Sequence, residues 1–278
     1  MAVLGHVIAV DRAACDLADA DALQALVRTV RPDVIVNAAA YTAVDDAETD
    51  ETRAFAVNAA APGVLAMQAK ALGSLFVHYS TDYVFDGAAD RPYVESDAPN
   101  PLSVYGRSKL AGEQGVAESG ARAIVLRTSW VAGAHGKNFA RSILKAAAER
   151  DRMEVIADCF GAPTTAALVA DATAHVVARL WGQRGAEAAH GGVWHLAAAG
   201  ETSWHGYARE VVRYALARGA ALRLKPEDIA AIPTSAWPQR ARRPANSRLN
   251  TDKLCETFDI HLPEWRHGVH YLIDQILS

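Results

Sequence analysis

Short, wholly apolar runs alternate with longer stretches of helical periodicity through the first half of the chain. Val34-Ile35-Val36, Leu75-Phe76-Val77 and Ala123-Ile124-Val125-Leu126 present no polar face, so strands built from them must be covered on both sides. The segments between them are too long for tight hairpins, and a strand that returns after a helix pairs parallel to its predecessor. In order, the pattern predicts a strand over His6–Val10 and a helix over Ala20–Val30, capped by Asp19 and ended by Pro32. A strand from Val34 then stops at Asn37-Ala38-Ala39-Ala40. Helices over Glu51–Asn58 and Pro62–Leu72, a strand over Leu75–Tyr79, a helix bearing Tyr105 and a strand over Ala123–Thr128 follow.

This succession is the pattern of a Rossmann-like, doubly wound parallel sheet, which binds dinucleotides at the carboxyl ends of its strands. Beyond Trp130 the rhythm loosens. Helices over Asn138–Glu149, Ala166–Trp181, Ser203–Arg218 and Glu264–Leu277 are separated by Gly- and Pro-bearing loops, and Pro226–Asn250 reads as irregular. The fold class expected is α/β: the doubly wound parallel sheet plus a smaller C-terminal α/β substrate lobe. Residues 1–132 form the dinucleotide-binding domain, with 154–182 contributing, while 133–153 and 183–278 form the lobe. No Gly-rich turn of the kind that cradles a pyrophosphate is present, and Met1–Leu4 with Gly5 reads as a helix end and its stop. The chain is therefore expected to begin about one strand and one loop into such a domain.

With 51% hydrophobic residues in 278, the chain can bury a large core, and a net charge of −4 argues against a nucleic-acid surface despite Arg240, Arg242 and Arg243. No apolar run reaches the ~18 residues of a membrane span and no signal peptide is readable, so a soluble, cytoplasmic protein is expected. Cys15, Cys159 and Cys255 form no paired framework, which suits a reducing compartment. Ten histidines include no His-Glu-x-x-His, so no metal site is expected.

Tyr105 and Lys109 lie one helical turn apart, so a phenol and an ammonium project from the same face. A free phenol titrates near pH ~10; a neighbouring ammonium favours the phenolate and draws its pKa toward the working range. Alone, a Tyr-x-x-x-Lys match is weak. Upstream, however, the strand over Leu75–Tyr79 runs into Ser80-Thr81-Asp82-Tyr83, which sets hydroxyls at the edge where open parallel sheets bind ligands. Thr81 there either satisfies the turn backbone or donates to a substrate carbonyl. The Tyr/Lys helix that follows favours the second reading. Ala38, Ala39 and Ala40 either let a flat ligand approach the backbone or pack in the core.

Ser80–Gly87, Glu95–Asp97, Asn100–Glu113 and Leu126–Trp130, together with Asn37–Asp45 and Arg243–Leu249, closely resemble the dTDP-4-dehydrorhamnose reductase family of extended short-chain dehydrogenases/reductases. The resemblance runs essentially from Val7 to the C-terminus. It implies NADPH- or NADH-dependent reduction of the C4 ketone of dTDP-4-dehydro-L-rhamnose to dTDP-L-rhamnose, a sugar donor for cell-surface polysaccharides. By motif match, Thr81, Tyr105 and Lys109 take the catalytic places, and Lys109 also bonds the nicotinamide ribose. After the strand over His6–Val10, Asp11 stands where an acid bonds the adenosine ribose and Arg12 beside it could pair with a 2′-phosphate, which leaves NADH and NADPH both open. Asp16 and Leu17 resemble the family's adenine-edge contacts, Asp16 being equally readable as a turn residue, and Ala38, Ala39 and Ala40 stand where the rest of the cofactor would approach. Thr81, Asp82, Trp130, Asn138, Arg243 and Ser247 fall to the nucleotide sugar, although Trp130 is as readable as a buried core ring and Arg243, without the family match, as a solvated surface charge.

Two rival readings stand beside this one. A nucleotide-sugar epimerase or dehydratase shares the Tyr/Lys pair, but a dehydratase is expected to carry Asp-Glu after the Thr, where this chain has Asp82-Tyr83. A non-catalytic nucleotide-sugar-binding regulatory subunit is motivated by the missing phosphate loop and opposed by the intact Thr81/Tyr105/Lys109 set. The sequence leaves open the oligomeric state, a homodimer included, and whether an ion such as Mg²⁺ bridges subunits.

Overall fold

The computed structural model describes residues 1–182 and 191–278. Its strands are β1 (Val34–Asn37), β2 (Leu75–Thr81), β3 (Ala123–Thr128), β4 (Val131–Ala132), β5 (Met153–Ile156), β6 (Phe160–Gly161), β7 (Thr164–Thr165), β8 (Gly192–His195), β9 (Thr202–Ser203) and β10 (Ile229–Ile232). Its helices are α1 (Ala20–Val30), α2 (Val44–Ala47), α3 (Glu51–Phe55), α4 (Ala61–Leu72), α5 (Val104–Ser119), α6 (Phe139–Glu149), α7 (Ala166–Gly182), α8 (Trp204–Ala217), α9 (Asp252–Phe258) and α10 (Trp265–Leu277).

The main sheet runs β1-β2-β3-β8, parallel throughout, with Asn37 opposite His78 and Thr81 opposite Thr128. Every residue of β3 is buried, and in β2 only Tyr79 is partly open, as apolar runs without a polar face require. Leu23 and Val27 of α1 and Leu65, Ala66 and Ala69 of α4 cover Phe76 and Val125 on one face. On the other, Val169, Val176 and Val177 of α7 and Leu254 and Phe258 of α9 cover Leu75, Val77, Ile124 and Leu126. A separate cluster joins Ile143 of α6, Val211 and Val212 of α8, and Trp265, Val269 and Ile273 of α10 over Val155 and Ile229. Burying each such aliphatic side chain contributes roughly 1.5–3 kcal/mol.

Several elements differ from the sequence reading. The segment His6–Val10 is not a strand: Val7 and Ile8 are more than half exposed. Among the described residues no strand pairs with the far edge of β1, so this extended segment has no ladder to join. Strand β8, expected in the lobe, is the fourth strand of the main sheet, because α7 carries the chain back across it. Conversely β5, expected with the sheet, pairs with β10. The expected lobe boundary at 183 falls on 183–190, which lie outside the described residues.

The stretch after Pro226 contains β10 and then a strap. Leu249 bridges Tyr93, Asn246 bridges Phe160, and the Asn246 amide donates to the carbonyls of Ala89 and Arg91. Near the other end of the strap, Asp45 accepts the Ala241 N–H and the fork of Arg243. The strap thus joins the segments that follow β1 and β2 to β6.

Candidate active site

The carboxyl end of β2 meets the first turns of α5, and the loop after β1 is tied to the same helix. Thr81, 5% exposed, donates its hydroxyl to Asp82 Oδ1 (3.1 Å) and accepts the Tyr83 N–H (3.2 Å), and the same hydroxyl draws the Tyr105 phenol toward ionisation. One hydroxyl therefore serves both the turn and the phenol.

The placement of α5 follows from its sequence. Ser103 Oγ accepts the Gly106 N–H (3.2 Å) and Glu48 accepts the Val104 N–H (2.8 Å), which satisfies two orphan amides of the first turn. A Cβ at Gly106 would stand 2.2 Å from the Tyr83 carbonyl oxygen, and one at Gly112 would stand 2.1 Å from that of Asn58. The helix lies at backbone contact with both, which is what sets Tyr105 against Thr81. Asn58 belongs to a π-helical turn, Ala56–Ala60, between α3 and α4. Its buried carboxamide takes the Tyr41 N–H (2.8 Å) and donates to the Tyr41 carbonyl and Ser108 Oγ (3.0 Å each), fixing the loop after β1 to α5.

The half-buried Tyr105 ring meets Tyr83 edge-on, with centroids 5.5 Å apart at 78°. Burial pushes its phenol up to about 12; the Thr81 hydrogen bond opposes this and the Asp82 carboxylate adds to it. Lys109, 2% exposed, donates to the Tyr79 carbonyl (2.6 Å), and its Nζ lies 3.4 Å from His78 Nε2. Burial draws this ammonium down to about 8, with Glu113 opposing. The sequence reading has the ammonium acidifying the phenol. In the structure the Lys109 stem reaches past the shared helix face to β2, and the phenol is governed by burial, Thr81 and Asp82. Behind it, Glu113 accepts Ser80 Oγ (2.5 Å) and a two-point fork from Arg127 (2.9 and 2.6 Å), a pair 5% and 4% exposed.

At the end of β2, burial pushes the Asp82 carboxyl up to about 7, against the Ser247 and Thr81 hydroxyls, and its Oδ2 has no partner. Ser247 is held by its own N–H on the Phe160 carbonyl (2.7 Å). Arg243 forks onto Asp45 (2.5 and 3.3 Å) and also donates to Gln239 (3.0 Å). Trp130 adopts φ 48°, stacks on Trp204 with centroids 3.8 Å apart, and lies so close to Gly161 that a Cβ there would be 2.7 Å from its ring. Asn138 caps α6, accepting the Arg141 N–H (3.0 Å) and donating to the Gly133 carbonyl (2.7 Å).

At the end of β1, Ala38 and Ala39 are exposed and Ala40 half-buried. Asp11 accepts the Ala14 N–H (3.0 Å). Asp16 accepts the Ala18 N–H and pairs with Arg53 of α3 (2.8 Å) and with Arg12 (3.3 Å), so its carboxyl lies below the usual range. Leu17 packs against the α1/α4 core. An uncovered strand end over small side chains, beside an ammonium with one N–H to spare, fits a nicotinamide dinucleotide. Among the described residues no group of three or more His, Cys, Asp or Glu side chains is arranged to hold a metal ion, and no helix is long and apolar enough to cross a membrane.

His78, Asn58, Tyr83, Glu113 and Arg127 escaped the sequence reading. The readable signal was a polar residue inside an otherwise apolar strand, as His78 is in β2 and Arg127 in β3.

A doubly covered parallel sheet whose strand ends gather a hydroxyl, a phenol and a buried ammonium defines an NAD(P)H-dependent oxidoreductase of the short-chain dehydrogenase/reductase class. The chain is 50% identical over 278 residues to the dTDP-4-dehydrorhamnose reductase of Burkholderia thailandensis, covering 100% of this chain and 93% of the relative. It is 43% identical to the Escherichia coli K12 enzyme of that name, covering 100% and 92%. The crystal structure of dTDP-4-dehydrorhamnose reductase from Bacillus anthracis in complex with NADP superposes with a TM-score of 0.88 at 28% identity, covering 98% of this chain and 90% of that one. The family model described as RmlD substrate binding domain matches residues 2–278, and the chain belongs to that family.

Proposed function

We infer that the protein reduces the C4 ketone of dTDP-4-dehydro-L-rhamnose to dTDP-L-rhamnose with NADPH or NADH, making a sugar donor for cell-surface polysaccharides. The observation that carries this reading is the convergence of the Thr81 hydroxyl at the end of β2 with the Tyr105 phenol, with Lys109 buried one turn along α5. Ala38, Ala39, Ala40, Tyr105 and Lys109 hold the nicotinamide half of the cofactor, and Asp11, Arg12, Asp16 and Leu17 the adenosine half. The bound nicotinamide supplies a hydride to C4.

As charge gathers on the C4 oxygen, the Thr81 and Tyr105 hydroxyls meet it. A phenol pushed up to about 12 stays protonated at neutral pH, and an alkoxide, being a stronger base than a phenolate, takes its proton. Such general acid catalysis contributes ~10²–10⁴-fold, and holding ketone and hydride donor in register supplies much of the rest. Asp82, whose Oδ2 is unpartnered, accepts a sugar hydroxyl. Ser247 and Arg243 lie on the nucleotide-diphosphate side, with Trp130 and Asn138 at the walls.

The working form is a cytoplasmic homodimer, each chain divided between the sheet with its covering helices and the cluster of α6, α8 and α10. Free Cys15, Cys159 and Cys255 accord with a reducing compartment, and sedimentation of the purified chain measures the dimer. The reaction is tested by incubating the keto sugar with NADPH. Stoichiometric NADPH oxidation with a product heavier by a hydride and a proton is the expected result. Product without net redox change would instead identify an epimerase or dehydratase, and tight nucleotide-sugar binding without turnover a regulatory subunit.

A further inference from the structure

His78 is a histidine in a strand where every neighbour but Tyr79 is buried, and it is itself 1% exposed. Nothing in the strand's packing asks for a polar ring at this position; Phe76, two residues earlier, stacks beside it at 12° with centroids 6.1 Å apart. Its two nitrogens nevertheless both have partners. Nδ1 lies 3.2 Å from the Asn37 carboxamide, directly across the β1–β2 ladder, and Nε2 lies 3.4 Å from Lys109 Nζ.

Protonation at both nitrogens is excluded by the company the ring keeps. Burial and the adjacent ammonium both drive the imidazole pKa well below its ordinary value. A neutral ring has one N–H and one lone pair. Lys109 carries only donors, so the lone pair sits on Nε2 and the hydrogen on Nδ1. The Asn37 carboxamide then presents its oxygen to Nδ1, an orientation that coordinates without hydrogens leave interchangeable. The ammonium has three N–H bonds: the Tyr79 carbonyl takes one, His78 Nε2 a second, and one is left.

We propose that His78 is a positioning residue: its Asn37-held, Nδ1-protonated ring accepts from Lys109 and so fixes both the aim and the charge of that ammonium. This rests on the reading of Lys109 as part of the reductase site. The charged and titratable groups around Lys109 are few. On α5 they are Glu113, closed by Arg127 of β3, and Tyr105, whose phenol is turned to Thr81; β2 offers His78 and the Tyr79 carbonyl, and β1 only the carboxamide of Asn37. An acceptor lone pair favours the ammonium over the free amine, so removing it makes Lys109 lose its proton at lower pH.

The test uses His78→Phe, which keeps a planar ring without the lone pair, and His78→Gln, which keeps an acceptor without the ring. Side-chain NMR titration of Lys109 in the folded chain is expected to move about one pH unit lower in His78→Phe and to return toward wild type in His78→Gln. Asn37→Ala, which frees the ring to turn, gives a smaller shift in the same direction. In turnover, the alkaline limb of the pH profile follows, with about fivefold lower kcat at pH ~8 in His78→Phe and an unchanged KM for the sugar. An unmoved Lys109 titration in His78→Phe, or a His78→Phe closer to wild type than His78→Gln, overturns the proposal and leaves a packing residue. Lys109→Met separates the two readings: full turnover in that variant removes Lys109 from the reaction, whatever the His78 titrations give.

Discussion

At the scale of single residues, the site depends on who holds each proton. Tyr105→Phe is expected to remove turnover while leaving cofactor affinity nearly unchanged, as measured by steady-state rates and calorimetry with NADPH. Asp82 makes a second, thermodynamic prediction. Its folded carboxyl titrates near 7 rather than 3.8, so between those values the unfolded chain ionises while the folded chain keeps its proton. Stability therefore falls as pH rises through that window and levels off above it. Asp82→Asn is expected to remove this slope, its advantage over wild type growing from pH ~4 to ~7 to on the order of 4 kcal/mol in denaturant unfolding. The Tyr105/Lys109 pair was legible in the sequence because one helical turn separates the two, and Thr81 because it stands where an apolar strand runs out. His78, Glu113 and Arg127 were not, because their meaning lies in partners from other elements: a carboxylate on α5 closing on a guanidinium from β3 leaves no local spacing to read.

At the scale of elements, the helix carrying the phenol is aimed by what it touches. Gly106→Ala drives a methyl group to 2.2 Å from the Tyr83 carbonyl, which is backbone and cannot turn aside. The variant is expected to lose about 1–3 kcal/mol of stability in thermal unfolding, and more than tenfold in kcat as Tyr105 moves away from Thr81. Elements with strong internal periodicity were readable to within a residue or two: α1 with its Asp19 cap, β2, β3, α7 and α10. His6–Val10 has the composition of a strand, yet strand formation needs a neighbour, and composition does not record one. The same limit hid β8, whose place beside β3 is decided by where α7 returns the chain, and α9, which is only seven residues long.

At the scale of the whole molecule, buried charge and the strap decide cohesion. Glu113→Ala leaves Arg127 buried without its fork and is expected to cost roughly 3–5 kcal/mol in denaturant unfolding, far beyond what a surface pair contributes. The Arg243–Asp45 pair is partly open, at 29% and 41%, so its loss is felt locally. Arg243→Ala is expected to speed hydrogen exchange at the amide of Ala241, bonded to Asp45, with little change in overall stability.

The strap's double anchorage also ties two distant loops to one another. One end is pinned to the segment after β1 and the other to the segment after β2, with β6 gripped between. Moored to both banks by one segment, the loops after β1 and β2 keep a common spacing, so a change at either anchorage is felt at the other.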